Sequence, residues 1–202
     1  MSTRATEPRR RRRPEEAERE ILDSADRLFR SRPSHDVSVA DVMAGTTLSR
    51  KSFYVYFRDR YELITRLVSD LRETGDVAMT PFLAEDSDLV VDGRVALLGV
   101  ARLYAEHGDL LRALADASER DPEAWRAWQG FTDPVRVAVT RRVEEEVSAG
   151  RVNGIDPERT VRALIAMNLA CFFQQLGSES GEDEIVVLVD TLHAIWIRTL
   201  YG

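Results

Sequence analysis

The chain of 202 residues has a single cysteine, Cys171, which excludes an internal disulfide and leaves no thiolate cluster for zinc. Its three histidines, His35, His107 and His193, stand far apart with no metal-ligand spacing, so neither a metal site nor a cofactor is expected. No stretch approaches eighteen apolar residues, and the arginine run near the N-terminus has no apolar segment behind it. Neither a membrane span nor a signal peptide is therefore expected, and the chain is expected in the cytoplasm. Glycine (11) and proline (7) are sparse beside 44% apolar and 31% charged residues, which fits neither a disordered nor a collagen-like chain, nor a loop-rich secreted scaffold. The length allows one core of ordinary size, or two unequal modules sharing one. Lysine is almost missing: Lys51 is the only one among 28 basic residues.

The net charge of −7 conceals an asymmetry. Residues 1–60 carry 14 Lys and Arg against 10 Asp and Glu, net +4, whereas residues 61–202 carry 14 against 25, net −11. Such a split is a reason to look for a polyanion-binding end. Arg9 to Arg13 are five consecutive arginines in a polar, Pro-flanked context that cannot bury itself. Residues 1–14 read as a disordered basic arm, either a solvated tail or a nucleic-acid contact.

Helical periodicity dominates the rest. Behind Pro14, Ile21, Leu22, Ala25, Leu28 and Phe29 make one helical face that stops before Pro33. Ser38 and Asp41 form a capping box for a short second helix ending at Gly45. Ser49 can cap a third, with Leu48 and Phe53 as a hydrophobic staple. Asp59 and Glu62 open a longer helix through Leu71, loosened at Gly75 and stopped near Pro81. After a loop over 86–92, a helix is expected to end at Gly108 and a short one to start at Asp109. Asp121-Pro122 and Asp156-Pro157 each join a capping acceptor to a proline suited to the first helical turn. Asp133-Pro134 predicts a kink or break near Gly130–Asp133.

The last two helices, over about 157–176 and 181–200, are apolar on more than one face. A terminal surface helix needs one apolar stripe, so the excess calls for a second partner. A four-helix bundle between two copies of the chain, through residues 157–200, is the simplest; the alternative is that both faces line the chain's own core.

The segment 38–57 carries the functional reading. Residues on a helix advance by about 100° each, so Phe53 and Phe57 share a buried face while Lys51, Ser52, Tyr54 and Val55 point away from it. A cation, a hydroxyl and a phenol on a two-turn helix, with Arg50 at its start and Tyr56 at its flank, suit a helix that reads base edges in the major groove.

The stretch from Val39 to Phe57, with its small-residue turn, Ser49-Arg50 and Tyr54-Val-Tyr-Phe57, followed by Arg58-Asp-Arg-Tyr-Glu-Leu63, resembles the helix-turn-helix of the TetR family of transcriptional regulators. Ile21-Leu22, Arg32-Pro33, Met167-Asn168, Ile195-Trp196 and the ending Leu200-Tyr201-Gly202 make it similar to the family's EthR branch. The resemblance implies an all-α fold of about nine helices: a helix-turn-helix DNA-binding domain over 15–60 and a larger ligand-binding and dimerisation domain over 61–202. It implies that Arg50, Lys51 and Ser52 read the major groove, that Tyr54 and Tyr56 hold the backbone, and that Arg60 binds phosphate, with Ser38, Thr47 and Ser49 as further DNA contacts. For Tyr54 and Tyr56, partial core packing is the alternative. Two positions depart from the pattern: Thr47 stands where a glycine is usual, and Arg60 where a lysine is usual.

The body would hold the ligand. Tyr104, Trp125, Trp128, Phe131, Phe172, Phe173 and Trp196 concentrate where the resemblance puts a cavity, and Asn168 is a polar residue on an apolar stripe. A buried Asn needs hydrogen bonds, from a ligand carbonyl or from a neighbouring helix. In the branch two Asn on this helix face the pocket; here the other is Ile165. These aromatics can equally be ordinary core.

With no cluster of charge among these stripes, a neutral, apolar small molecule is expected. The chain is thus expected to be a homodimeric repressor released by that effector from a near-palindromic duplex. The rival is an all-helical small-molecule carrier or enzyme, against which stands the lack of any nucleophile elbow, Gly-rich phosphate loop or Cys/His pair.

Overall fold

The computed structural model describes residues 13–32, 34–69, 71–84 and 87–202. The expected basic arm lies outside them except for Arg13 and Pro14, as does Pro33. Among the described residues the chain forms nine α-helices and no strand: α1 (Pro14–Phe29), α2 (Val39–Ala44), α3 (Arg50–Tyr56), α4 (Arg60–Ser69), α5 (Arg72–Leu83), α6 (Val91–Ser118), α7 (Pro122–Ser148), α8 (Pro157–Gln175) and α9 (Glu182–Tyr201). No described helix is long and apolar enough to cross a membrane.

Local chemistry sets most of the helix starts. Pro14 occupies the first turn of α1, with Glu15 and Glu16 favourable beside the positive end of the helix dipole. Ser38 and Asp41 close the capping box of α2 in both directions. At α4, Asp59 accepts the amides of Tyr61 and Glu62, while Glu62 reaches back to the amide of Arg58. Asp121 and Asp156 cap α7 and α8, each with proline behind it.

Three expectations are corrected. The long fourth helix is two helices, α4 ending at Ser69 and α5 starting at Arg72 after a turn at Leu71; Gly75 and Pro81 lie inside α5. The break expected at Gly108 is a kink inside one continuing α6: His107 takes φ −126° and ψ 15°, and the helix resumes because its second half buries Leu110, Leu111, Ala113, Leu114 and Ala117. α7 runs unbroken through Pro134, which only removes the amide that Gly130's carbonyl would have accepted.

One core joins the N-terminal helices α1–α3, called the head below, to the later helices, called the body. One apolar cluster runs from Ile21, Phe29, Phe53 and Leu63 in the first four helices into Tyr104, Leu111 and Leu114 of α6 and Val189 and Leu192 of α9. A second, around Phe82, Val143, Val161 and Leu200, closes the far end. α6 is the common spine, and α5 lies against it closely: a Cβ on Gly99 would come within 2.9 Å of the Ala78 Cβ, so only glycine fits there without displacing α5.

Candidate functional site

The head presents α3. Phe53 and Phe57 are buried with ring centroids 5.5 Å apart, and this pins the opposite face of the helix to solvent. On that face Arg50 and Lys51 are exposed, and Tyr54 and Val55 are 57% and 76% exposed. Ser52 is half-buried and shares a 3.0 Å hydroxyl contact with Ser49, which holds the N-cap position without capping an amide. Tyr56 is also half-buried and packs on the core. Ser38 is exposed, but its hydroxyl serves the α2 cap. Arg60 lies with its guanidinium 5.1 Å from the centre of the Tyr61 ring at the start of α4. Thr47 is exposed in the turn, and its amide is held by Glu20 of α1 at 2.6 Å. The sequence reading missed Glu20, whose partner is 27 residues away.

It also missed the joint between head and body. Arg58 donates to Asp59 and Glu123, each at 2.7 Å, and to Asp121 at 3.2 Å. Those hydrogen bonds, to Asp59 first and then Glu123, raise the guanidinium's affinity for its proton further. Burial opposes ionisation of Asp59, yet Arg58 and the amides of Glu62 and Tyr61 hold its carboxyl below the usual range. Asp121 is the N-cap of α7, so one arginine ties the α3–α4 corner to the start of the body's second long helix. A second tie sits at the α6 kink. There the Glu106 carbonyl accepts from Arg30 of α1 at 3.3 Å, and Arg30 also lies 3.4 Å from His107 Nδ1. Burial pulls the His107 pKa down.

The body encloses a cavity of about 140 Å³ between α5, α6, α7, α8 and α9. Of the expected residues, Tyr104, Phe131, Asn168, Phe172 and Trp196 line it, as does Ile165. Trp125, Trp128 and Phe173 do not. Trp125 is 51% exposed on the outer side of α7, one turn before Trp128. Trp128 stacks between Phe131 and Phe173 at 6.5 and 6.4 Å, and Phe173 is covered by the Arg112 guanidinium at 4.7 Å. These rings back the wall rather than form it.

The cavity's polar inventory is short. Asn168 is buried, and its Oδ1 accepts the Trp196 indole N–H at 3.2 Å. An indole only donates, so this bond fixes the amide with its NH2 on the other side. That NH2 has no protein partner among the described residues. The Tyr104 phenol, likewise without a protein partner among them, is kept protonated by burial, which pushes its pKa well up. His193 is engaged by the Val90 carbonyl at 2.8 Å. Arg72 and Asp76 reach the wall from exposed positions on α5. An open groove of about 550 Å³ lies outside the same wall and shares Arg72, Gly130 and Pro134 with it. Among the described residues no group of three or more His, Cys, Asp or Glu is placed to hold a metal ion.

A third surface is apolar without being enclosed. Ala163, Ala166 and Ala170 are exposed along α8, and Val187, Ala194 and Ile195 along α9, with Val187 66% and Ile195 38% exposed.

Comparison with known proteins adds to this geometry. Residues 21–67 match the model of bacterial regulatory proteins of the TetR family, and residues 94–202 match that of the C-terminal domain of the transcriptional regulator EthR. The chain is 29% identical over 213 aligned positions to the HTH-type transcriptional regulator EthR of Mycobacterium tuberculosis, covering 100% of this chain and 96% of that one. It is 26% identical to the protein of that name from Mycolicibacterium smegmatis, covering 99% and 94%. Among solved structures, the TetR-family regulator PfmR from Thermus thermophilus superposes with a TM-score of 0.71 at 18% identity, covering 91% of this chain and 96% of that one. A putative transcriptional regulator from Saccharomonospora viridis, solved in complex with choline, gives 0.69 at 16% identity over 93% and 99%.

Proposed function

Because the chain belongs to the TetR family of bacterial transcriptional regulators and carries an EthR-type C-terminal domain, we propose that it is a repressor that a neutral small molecule releases from a near-palindromic operator. Its relatives are regulators, not enzymes. The observation that carries the proposal is the face of α3. Arg50, Lys51 and Tyr54 are presented outward by the burial of Phe53 and Phe57, on the net-positive end of a chain whose remainder is acidic. That polarity keeps DNA at one end of the molecule.

In this reading residues 15–60 form the DNA-binding head and 61–202 the ligand-binding and dimerisation body. Arg50, Lys51 and Ser52 meet base edges; Tyr54, Tyr56 and Arg60 meet phosphates, with Ser38, Thr47 and Ser49 around them. The small exposed residues of α8 and α9 let two copies pack as a four-helix bundle, which carries the two α3 helices into successive major grooves about 34–36 Å apart. The effector places an apolar body in the cavity and an acceptor such as a carbonyl on the Asn168 NH2, acting in the cytoplasm where the DNA is. An effective switch needs the effector to favour the released state by about 5 kcal/mol.

The test is a duplex that the purified protein selects from a random pool. The Arg50→Ala/Lys51→Ala variant is expected to lose its preference for that duplex while still folding, and unchanged preference would remove α3 from the reading. Binding by the parent protein should weaken steeply with salt.

A further inference from the structure

The turn between α2 and α3 is closed without a left-handed residue, since Gly45 sits at φ −83°, ψ 5° and positive φ among the described residues is confined to Gly150 and Gly154. Four successive amides in this turn must find acceptors. Three do so locally: Gly45 on the Val42 carbonyl at 3.2 Å, Thr46 on the Met43 carbonyl at 3.1 Å, and Leu48 on Thr46 Oγ1 at 3.2 Å. The fourth, the amide of Thr47, donates to Oε1 of Glu20 on α1 at 2.6 Å. α1 grips the same turn a second time: the buried Ser24 hydroxyl donates to the Val42 carbonyl at 2.7 Å, and a side chain at Gly45 would collide with it.

We propose that Glu20 is a positioning residue for the DNA-reading helix, and that its charge lowers the protein's affinity for DNA of arbitrary sequence. The inference rests on α3 being that helix. Thr47 lies two residues before Ser49, the N-cap of α3, so the Glu20 contact sets where the helix begins. Base recognition depends on that placement, whereas attraction to phosphate does not. The carboxylate also puts a negative charge beside the turn that leads into the DNA-facing helix, and non-specific binding is almost wholly attraction to phosphate. One side chain therefore has two separable effects. Its hydrogen bond supports the ratio of selected to random DNA, and its charge sets the level of both.

Glutamine keeps the acceptor and removes the charge; alanine removes both. Full-length Glu20→Gln and Glu20→Ala proteins, checked for wild-type helicity and melting, would be titrated with the duplex the wild type selects from a random pool and with a scrambled duplex. Both variants are expected to bind the scrambled duplex more tightly, by a margin that shrinks as salt is added. Glu20→Gln should keep the wild-type ratio of selected to scrambled affinity, and Glu20→Ala should lose about tenfold of it. A wild-type ratio in Glu20→Ala, or a ratio lost equally in Glu20→Gln, overturns the positioning role. Unchanged scrambled-duplex affinity in both overturns the role of the charge. Arg50→Ala/Lys51→Ala runs alongside: if that variant keeps its preference, α3 is not the reading helix and the role of Glu20 falls with it. If it loses preference while Glu20→Ala does not, only the inference about Glu20 fails.

Discussion

Replacing Asn168 with leucine removes the one acceptor of the Trp196 indole N–H among the described residues while keeping the branched shape of the side chain. A buried donor left unpaired costs about 1–3 kcal/mol. Part of that returns through extra apolar burial at about 25 cal/mol per Å². A net loss of about 1–2 kcal/mol follows, which for a chain of this size lowers Tm by about 2–8 °C. Removing the N–H as well, in Asn168→Leu/Trp196→Phe, leaves no orphan, so the double variant should be more stable than the sum of the singles by about 1 kcal/mol. Ligand binding separates the two sides of the amide. A ketone or ester that accepts from the Asn168 NH2 should bind Asn168→Leu about 2- to 13-fold more weakly, the equivalent of one neutral hydrogen bond. A hydrocarbon of the same shape should bind it no more weakly. Urea melts of the four proteins and calorimetric titrations with the two ligands make the check. Strictly additive melts, or equal losses for both ligands, would refute the assignment of the amide's orientation.

Other outcomes follow from the same geometry. Arg58→Ala should leave effector affinity unchanged but weaken the effector's ability to release DNA, because Arg58 joins the α3–α4 corner to Asp121 and Glu123; paired calorimetry and fluorescence anisotropy test this. Ile195→Glu, on the exposed apolar face of α9, should give a monomer by light scattering and reduce operator affinity by about a hundredfold or more, the loss expected when two linked contacts become one. The Arg151 guanidinium, and then the Tyr201 hydroxyl, hold the Glu146 carboxyl below its usual range against the cost of burial, so its contribution is present above about pH 4.5 and is lost as the pH falls through the lowered value. Tyr201 goes the other way. Burial, then its bond to Glu146, push its pKa to about 12, so its contribution is present below pH 10 and lost as the pH rises to about 12. Stability curves of Tyr201→Phe should lack that alkaline loss, and an unchanged curve would contradict it.

The legible parts of this chain are those whose cause lies within one helical turn. The Ser38–Asp41 box, the Phe53/Phe57 face and the Asp-Pro starts of α7 and α8 each need only neighbours a few residues away, and each stands where the spacing put it. At Pro134 the spacing predicts a kink or a break, and the break does not occur: α7 runs through the proline at the loss of one backbone hydrogen bond. The aromatics show the limit most clearly. Trp125, Trp128 and Phe131 lie within seven residues on one helix, yet the first faces solvent, the second backs the wall and the third lines the cavity. Periodicity orders them around α7 but does not say which side meets α5 and α8.

The amino-acid pattern alone was enough for an all-helical chain, a basic head on an acidic body and a short helix with cationic and phenolic groups facing out. Those follow from composition, capping and a 100° repeat, all short in range. Packing of distant segments settled the rest: the Asn168–Trp196 bond across 28 residues, the Arg58 joint across 63 and 65, and the Glu20 hold on the turn across 27. Hydrogen bonds and ion pairs have strict distance and direction, so only when α1, α7, α8 and α9 are brought against their neighbours is it decided which polar groups meet and which are left facing a cavity.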